Sequence, residues 1–311
     1  MKFFFSFKIL AAAAVFTATA FAQMPPWRVI YSNDLTNILD CNSPFSTRND
    51  RVLTEEKIRA SIAEAAVPGV DAQLLQPGYC WVPWWRSKIL TIEQQEAWFE
   101  KHYGLAPKRA EHEFLKSGGD IIDIFVDECR KHNQAALISF RLNDGHHLEY
   151  AAGGEGLLRG MVAHLTKFYV ENPQYRRAPA PANRWPDRVQ NWAFADVRAH
   201  KEKLLFELIE NYPQLDGIEL DFQRHPFYFP DDMPMQQRVQ IMVEFIKKTR
   251  AKLNELAAKT DGRRRVLGVR VPTYATALEL GNNGSWETVG FDPKAWANIG
   301  VDYYNLSPNY N

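Results

Sequence analysis

Short apolar runs alternate with longer amphipathic stretches along most of the chain. The runs at 28–33, 70–76, 135–142, 217–222, 266–271 and 301–307 have strand length and are rich in Val, Ile, Leu, Phe and Tyr. Between them, apolar residues recur at helical spacing over 54–66, 120–132, 196–211 and 236–259. Strand, helix, strand in this rhythm implies parallel pairing and α/β architecture, because a parallel partner is reached only through a crossover. Six such units in series, with polar residues at the strand ends, predict a (β/α)8 TIM-type barrel rather than an open doubly wound sheet. No GxGxxG follows the first strand, which argues against a dinucleotide fold. The sequence stops at Asn311, directly after the sixth strand, whereas a closed barrel needs two more units. The pattern therefore reads as a barrel truncated after that strand; the other option, an open six-strand sheet, leaves a long bare edge.

Two connections are long. Residues 76–119 carry Trp81, Trp84 and Trp85. Residues 144–195 carry His146, His147, Tyr150, a Gly-rich turn, a helical pattern near 157–170 and a Pro/Arg-rich stretch at 176–186. In barrels the loops after the strands build the active site, so long loops there predict a deep cleft.

The first 22 residues read as a secretory signal peptide: Lys2 and Lys8, an apolar run over 9–21, then Ala20-Phe21-Ala22 before Gln23. The run is short for a membrane anchor. The expected organisation is a leader at 1–22 and one barrel domain over 23–311, exported to the periplasm or beyond. Basic and acidic residues balance at 37 each, and the leader takes lysines but no acid with it. A near-neutral chain has no electrostatic footprint for nucleic acid or an anionic membrane. Export permits disulfides; Cys41 and Cys80 lie in loops and are able to pair, whereas Cys129 sits in a helical pattern and reads as a buried free thiol.

The most informative segment is Asp216-Gly217-Ile218-Glu219-Leu220-Asp221-Phe222-Gln223-Arg224-His225-Pro226. Side chains alternate along a strand, so Ile218, Leu220 and Phe222 share one face suited to packing under helices. Gly217, Glu219 and Asp221 share the other, pointing into the barrel. Two carboxylates so placed repel each other and lose water, which displaces at least one pKa and suits acid–base or nucleophilic work. The structural alternative is a core ion pair between Glu219 and an inward Arg141 or Arg270.

Asp-Gly-Ile-Glu-Leu-Asp-Phe resembles the fourth-strand signature of barrel glycoside hydrolases, and is similar to the chitinase-type DGxDxDxE with Glu219 in a usual Asp place. The position of that family's acid is Gln223, which cannot serve as a carboxylic acid, so the substrate-assisted chemistry of chitinases does not carry over. A closer likeness is to secreted bacterial glycosyl hydrolase-like barrels. They resemble this chain in Asn191-Trp192-Ala193-Phe194-Ala195-Asp196-Val197-Arg198 and in Arg224-His225-Pro226. That similarity spans roughly residues 27–311 and implies polysaccharide hydrolysis without fixing the catalytic pair.

Other polar residues cluster at strand ends. The third strand ends in Arg141, Asn143 and Asp144, followed by His146 and His147; the first ends in Asn33 and Asp34. Arg270 and Tyr274 belong to the fifth strand and its exit, and Asn305 to the sixth. Buried polar groups need partners, so an inward ring of this kind predicts a polar ligand. Trp81 and Trp84 are expected to stack on sugar rings, or else to form a packed loop core. Arg86, Lys88, Arg176, Arg177 and Arg184 either bind anionic sugars or solvate the surface.

The expected activity is glycosidic bond cleavage by a carboxylate pair, with Asp221 as nucleophile or base and Glu219 or Asp144 as acid. Asn33, Asp34, Trp81, Trp84, Arg141, Asn143, His146, His147, Arg224, His225, Arg270, Tyr274 and Asn305 are expected to bind a carbohydrate substrate. No cofactor or resident metal is expected. One rival is a non-catalytic carbohydrate-binding barrel. A second is a metal hydrolase using Asp34, Asp144, His146, His147 and Asp221.

Overall fold

A computed structural model of the chain describes residues 27–34, 52–79, 81–104, 109–146, 165–178, 185–273 and 286–308. The leader, Cys41, Cys80, His147, Arg184 and Tyr274 lie outside the described residues. The strands are β1 (Ile30–Asp34), β2 (Ala72–Gln76), the two-residue pair β3 (Gly78–Tyr79) and β4 (Val82–Pro83), β5 (Ala135–Arg141), β6 (Gly217–Asp221), β7 (Val266–Pro272) and β8 (Tyr303–Ser307). The helices are α1 (Glu55–Glu64), α2 (Ile92–Tyr103), α3 (Ala110–Lys116), α4 (Ile121–Lys131), α5 (Lys167–Glu171), α6 (Trp185–Arg188), α7 (Ala195–Asn211), α8 (Met235–Lys259) and α9 (Pro293–Ile299).

Among the described residues the six strands of the main sheet run parallel in the order β1-β2-β5-β6-β7-β8, that is, in chain order. Sequential parallel strands joined by helices are the pattern of a barrel wall, and the sheet is a six-strand α/β half-barrel. Side-chain caps mark where several of the helices start. Thr54 accepts from Lys57 N ahead of α1, and Asp120 accepts from Ile122 N and Asp123 N ahead of α4. The helical pattern near 157–170 survives, in the described part, only as the short α5. The connection after β2 holds the β3–β4 hairpin, α2 and α3; Thr91 and Gln94 form a reciprocal capping box at the start of α2.

The main core lies between the outer face of the sheet and the helices. It takes Ile138, Phe140, Ile218, Leu220, Phe222, Leu267, Val269 and Val271 from the strands, with Phe125, Leu204, Leu208 and Phe245 from the helices. The inner face changes character rung by rung. Its floor is apolar: Ala72, Leu74 and Leu137, with Ile30 and Val266 against them. One rung higher, register aligns Ser139, Glu219, Gly268 and Tyr303. The next aligns Arg141, Asp221, Arg270 and Asn305.

The opposite, N-terminal end is tied by a repeated device. Asp71, Asp216 and Asp302 each stand just before a strand and accept a backbone N–H from the neighbouring one. Asp71 takes those of Arg28 and Val29, Asp216 that of Ala136 at 2.8 Å, and Asp302 that of Leu267 at 2.8 Å. Conserving strand register here positions the polar rungs at the far end. Cys129 is a buried free thiol, its pKa pushed up to about 12 by burial and by nearby Asp216.

Candidate functional site

Alternation along β6 places Glu219 and Asp221 on the inner face, one and two rungs above the apolar floor, while Ile218, Leu220 and Phe222 enter the helix-side core. Glu219 is fully buried. Its Oε1 accepts from Ser139 Oγ at 2.9 Å, and its Oε2 accepts from Tyr303 OH and Asn305 Nδ2, both at 3.2 Å. Its hydrogen-bond partners are thus neutral hydroxyls and an amide, not the arginines of a core ion pair. Burial, and then the charge of Asp221, push the Glu219 carboxyl up to about 7. It is a carboxyl that holds its proton close to neutral pH.

Asp221 is 1% exposed and lies one rung nearer the mouth. Its Oδ1 accepts from the backbone N–H groups of Gln223 at 2.8 Å and Arg224 at 3.3 Å, which folds the chain back over the strand end. Its Oδ2 lies 4.0 Å from Arg270 Nη1. Arg270 is half-buried, and its other terminal nitrogen reaches Ser307 Oγ at 3.5 Å.

Asp144 is fully buried across from them, at the end of β5. Arg141 Nη1 donates to its Oδ2 at 2.9 Å, while its Oδ1 accepts from His146 N at 3.1 Å and from the His146 ring. Burial would raise its pKa, but the Arg141 guanidinium and the His146 hydrogen bond overcome it and hold the carboxyl well below the usual range. Asp144 is therefore held ionised around neutral pH, which suits a fixed anion better than the part of acid that the sequence allowed it. Arg141 also binds Asp34, which is partly exposed at the tip of β1, so one guanidinium joins the ends of β1 and β5.

His225 adopts φ 54°, a left-handed backbone that costs a residue with a side chain. The geometry lets Gly145 N donate to its Nδ1 at 2.9 Å. That bond requires a bare Nδ1, so the ring is neutral with its proton on Nε2. Burial takes its pKa down to about 4, against the pull of Asp144. Asp144, His146 and His225 converge closely enough to suggest a cation site. The donor set does not suit one. The Nδ1 of His225 already receives a proton donor, and Arg141 holds a positive charge on the other oxygen of Asp144.

The remaining sequence candidates divide. Asn305, Arg224 and His146 stand half-buried around the carboxylates. Asn143 is buried and ties loops, its Nδ2 donating to Gln190 O and Phe227 O at 3.1 and 2.8 Å. Asn33 is buried in register with Leu75, a residue of the helix-side core, so it faces away from the hollow. This parity sets Asn33 apart from the hollow, against the expectation that it binds substrate at the strand tip. Trp81 and Trp84 are not stacking platforms but buried core, and Trp85 is buried with them. Trp81 stacks with Phe168 and His200, and the Lys201 ammonium lies 4.3 Å from its ring centre. The space beside Trp81 and Trp85 is about 20 Å³, room for a water and not for a sugar ring. Glu207 of α7 fixes this loop, accepting from Trp85 Nε1, Ser87 Oγ, Lys88 N and Ile89 N. The loop cations are likewise committed. Arg86 pairs with Asp120, Arg177 with Asp187 and Asp231, and Arg176 lies over the Tyr169 ring.

Ser139, Gly268 and Tyr303 were not among the sequence candidates. Parity places Ser139 on the inner face with Arg141, but only cross-strand register shows that it meets Glu219.

No protein-family model and no curated protein matches the chain. Among solved structures it is similar to the family GH18 chitinase of Cycas revoluta in complex with allosamidin, at 14% identity and a TM-score of 0.41, covering 89% of this chain and 54% of that one. It is also similar to the immunomodulatory active chitinase of Trichuris suis, at 12% identity and a TM-score of 0.41, covering 89% and 50%. An endo-fucoidan hydrolase of glycoside hydrolase family 107 gives 14% identity and a TM-score of 0.37, covering 78% and 49%. The chain spans about half the length of these structures, and the fold assignment rests on its own strand order.

Proposed function

We propose that this chain is a secreted glycoside hydrolase that cleaves a polysaccharide or oligosaccharide through Glu219 and Asp221. The observation that carries the reading is the burial of Glu219 directly beneath Asp221, at the C-terminal end of a parallel barrel wall, which lifts its carboxyl to about 7. In this reading Glu219 supplies the proton that the leaving glycosidic oxygen takes up. Asp221 acts as nucleophile or as base toward water. Asp144, fixed as an anion between Arg141 and His146, holds the rim together and keeps its charge throughout. Asp34, Arg270 and Asn305, the half-buried groups at the mouth, are the hydrogen-bonding surface offered to sugar hydroxyls.

A glycan-hydrolysis screen of the chain tests this, with Glu219→Gln and Asp221→Asn beside the parent. The expected result is turnover by the parent and a loss of roughly 10³-fold in each variant. Turnover undiminished in both variants would exclude the pair. A second reading, a carbohydrate-binding barrel without catalysis, is favoured by one feature: Asp221 is spent on capping its own loop and, like Glu219, is shut from water. Retention on a glycan array with no turnover would select that reading.

A further inference from the structure

Gly268 and Tyr303 sit side by side on the rung that holds Glu219, in the order Glu219, Gly268, Tyr303 across β6, β7 and β8. A Cβ built on Gly268 would overlap the ring and hydroxyl of Tyr303. The absent side chain is therefore a gap through which the Tyr303 ring crosses β7 to donate to a carboxylate two strands away. Asn305, one rung above Tyr303 on the same face, donates to the same oxygen.

We propose that Tyr303 is a positioning residue: reaching through the gap at Gly268, and acting with Asn305, it holds Oε2 of Glu219 and so assigns the exchangeable proton to Oε1. The chemistry of the donors requires this. Asn305 Nδ2 carries only hydrogens and cannot accept a proton's hydrogen bond. A proton on Oε2 would either face that amide or force the phenol to turn from donor to acceptor, giving up its bond to the carboxyl's ionised form. Ser139 Oγ, which faces Oε1, both donates and accepts. When Glu219 is ionised Ser139 donates to it, and when Glu219 is protonated the serine turns and accepts. The groups that bear on the carboxyl are Ser139 and, a rung above, Arg141 from β5; Asp221 from β6; Arg270 from β7; and Tyr303 and Asn305 from β8. Burial, and then Glu219 itself, keep the Tyr303 phenol well above its ordinary pKa, so it stays a donor.

This proposal rests on Glu219 being the acid of the site, and its test is independent of turnover. Difference infrared spectra of the full chain are recorded through a pH titration. The protonated carboxyl stretch is assigned by its loss in Glu219→Gln. Tyr303→Phe removes a donor to the ionised form and is expected to move the Glu219 midpoint upward by about one pH unit. Gly268→Ala, which touches neither the carboxyl nor the mouth, is expected to do the same by closing the gap. The double variant is expected to go no further than either single one. Ser139→Ala is expected to shift the carbonyl stretch of the protonated form, because its O–H loses its acceptor. If Gly268→Ala does not fold, Tyr303→Phe, which removes a single oxygen, still decides. A midpoint in Tyr303→Phe equal to the parent's would overturn the proposal, as would a parent without a Glu219 carboxyl band near neutral pH. A moved midpoint in a chain that hydrolyses no glycan upholds the positioning role and sinks the hydrolase reading alone.

Discussion

Arg141 donates to Asp144 at 2.9 Å from three residues earlier in the chain, with both side chains out of water. Removing the cation leaves a buried carboxylate whose remaining partners are His146 and the more distant His225. Arg141→Ala is expected to destabilise the fold by roughly 4 kcal/mol, the cost of a buried charge without its counter-charge. Urea unfolding of parent and variant measures it, and the double variant Arg141→Ala/Asp144→Asn is expected to recover part of the loss.

The same pair sets an acid limit. The folded pKa of Asp144 lies below its ordinary 3.8, so the unfolded chain binds the extra proton as pH falls. Its stabilisation is complete above about pH 4 and disappears below it, as pH drops through the folded value. In Asp144→Asn, stability is expected to be lower at neutral pH and to fall less steeply below pH 4. Thermal melts across that range read the slope.

Glu219 behaves in the opposite sense. Its pKa rises from 4.5 to about 7 on folding, so the folded chain binds the extra proton. Its charge costs nothing below pH 4.5, costs progressively more as pH rises to about 7, and levels off above that value. Glu219→Gln is expected to be near neutral at pH 5 and stabilising by on the order of 3 kcal/mol at pH 8. In the parent, glycan turnover is expected to decline above about pH 7 as the acid loses its proton. A turnover profile flat through pH 9 contradicts the role given to Glu219.

Glu207 governs the tryptophan loop from far along the sequence. Glu207→Ala takes the acceptor from Trp85 Nε1, Ser87 Oγ and Lys88 N, and one of two acceptors from Ile89 N. A loss of roughly 3 kcal/mol is expected, with new protease cleavage confined to residues 85–89.

Much of the architecture is visible in one strand's or helix's own spacing. The run at 135–142 became Ala135–Arg141, and the stretch at 120–132 became Ile121–Lys131 with Asp120 and His132 as its caps. The inward face of Glu219 and Asp221 follows from the same period of two. What that period cannot supply is register between strands, and the hydrogen-bond partners of Glu219 come from two other strands, β5 and β8. The choice between stacking platform and packed core for the tryptophans is hidden from the sequence for a similar reason. Their burial depends on Glu207, Phe168 and His200, which lie 80 or more residues away along the chain. Asn33 shows a subtler limit. It belongs to the polar tip of β1, but parity within that strand hands the interior to Asp34.

The ladder of alternating rungs makes β6 intolerant of any change in length. Deleting Ile218, ahead of both acids, would send Glu219 and Asp221 into the oily layer beneath α7 and α8 and turn Leu220 toward the hollow. Point substitutions in this strand spoil one group at a time, whereas a frame slip of a single position inverts the whole wall.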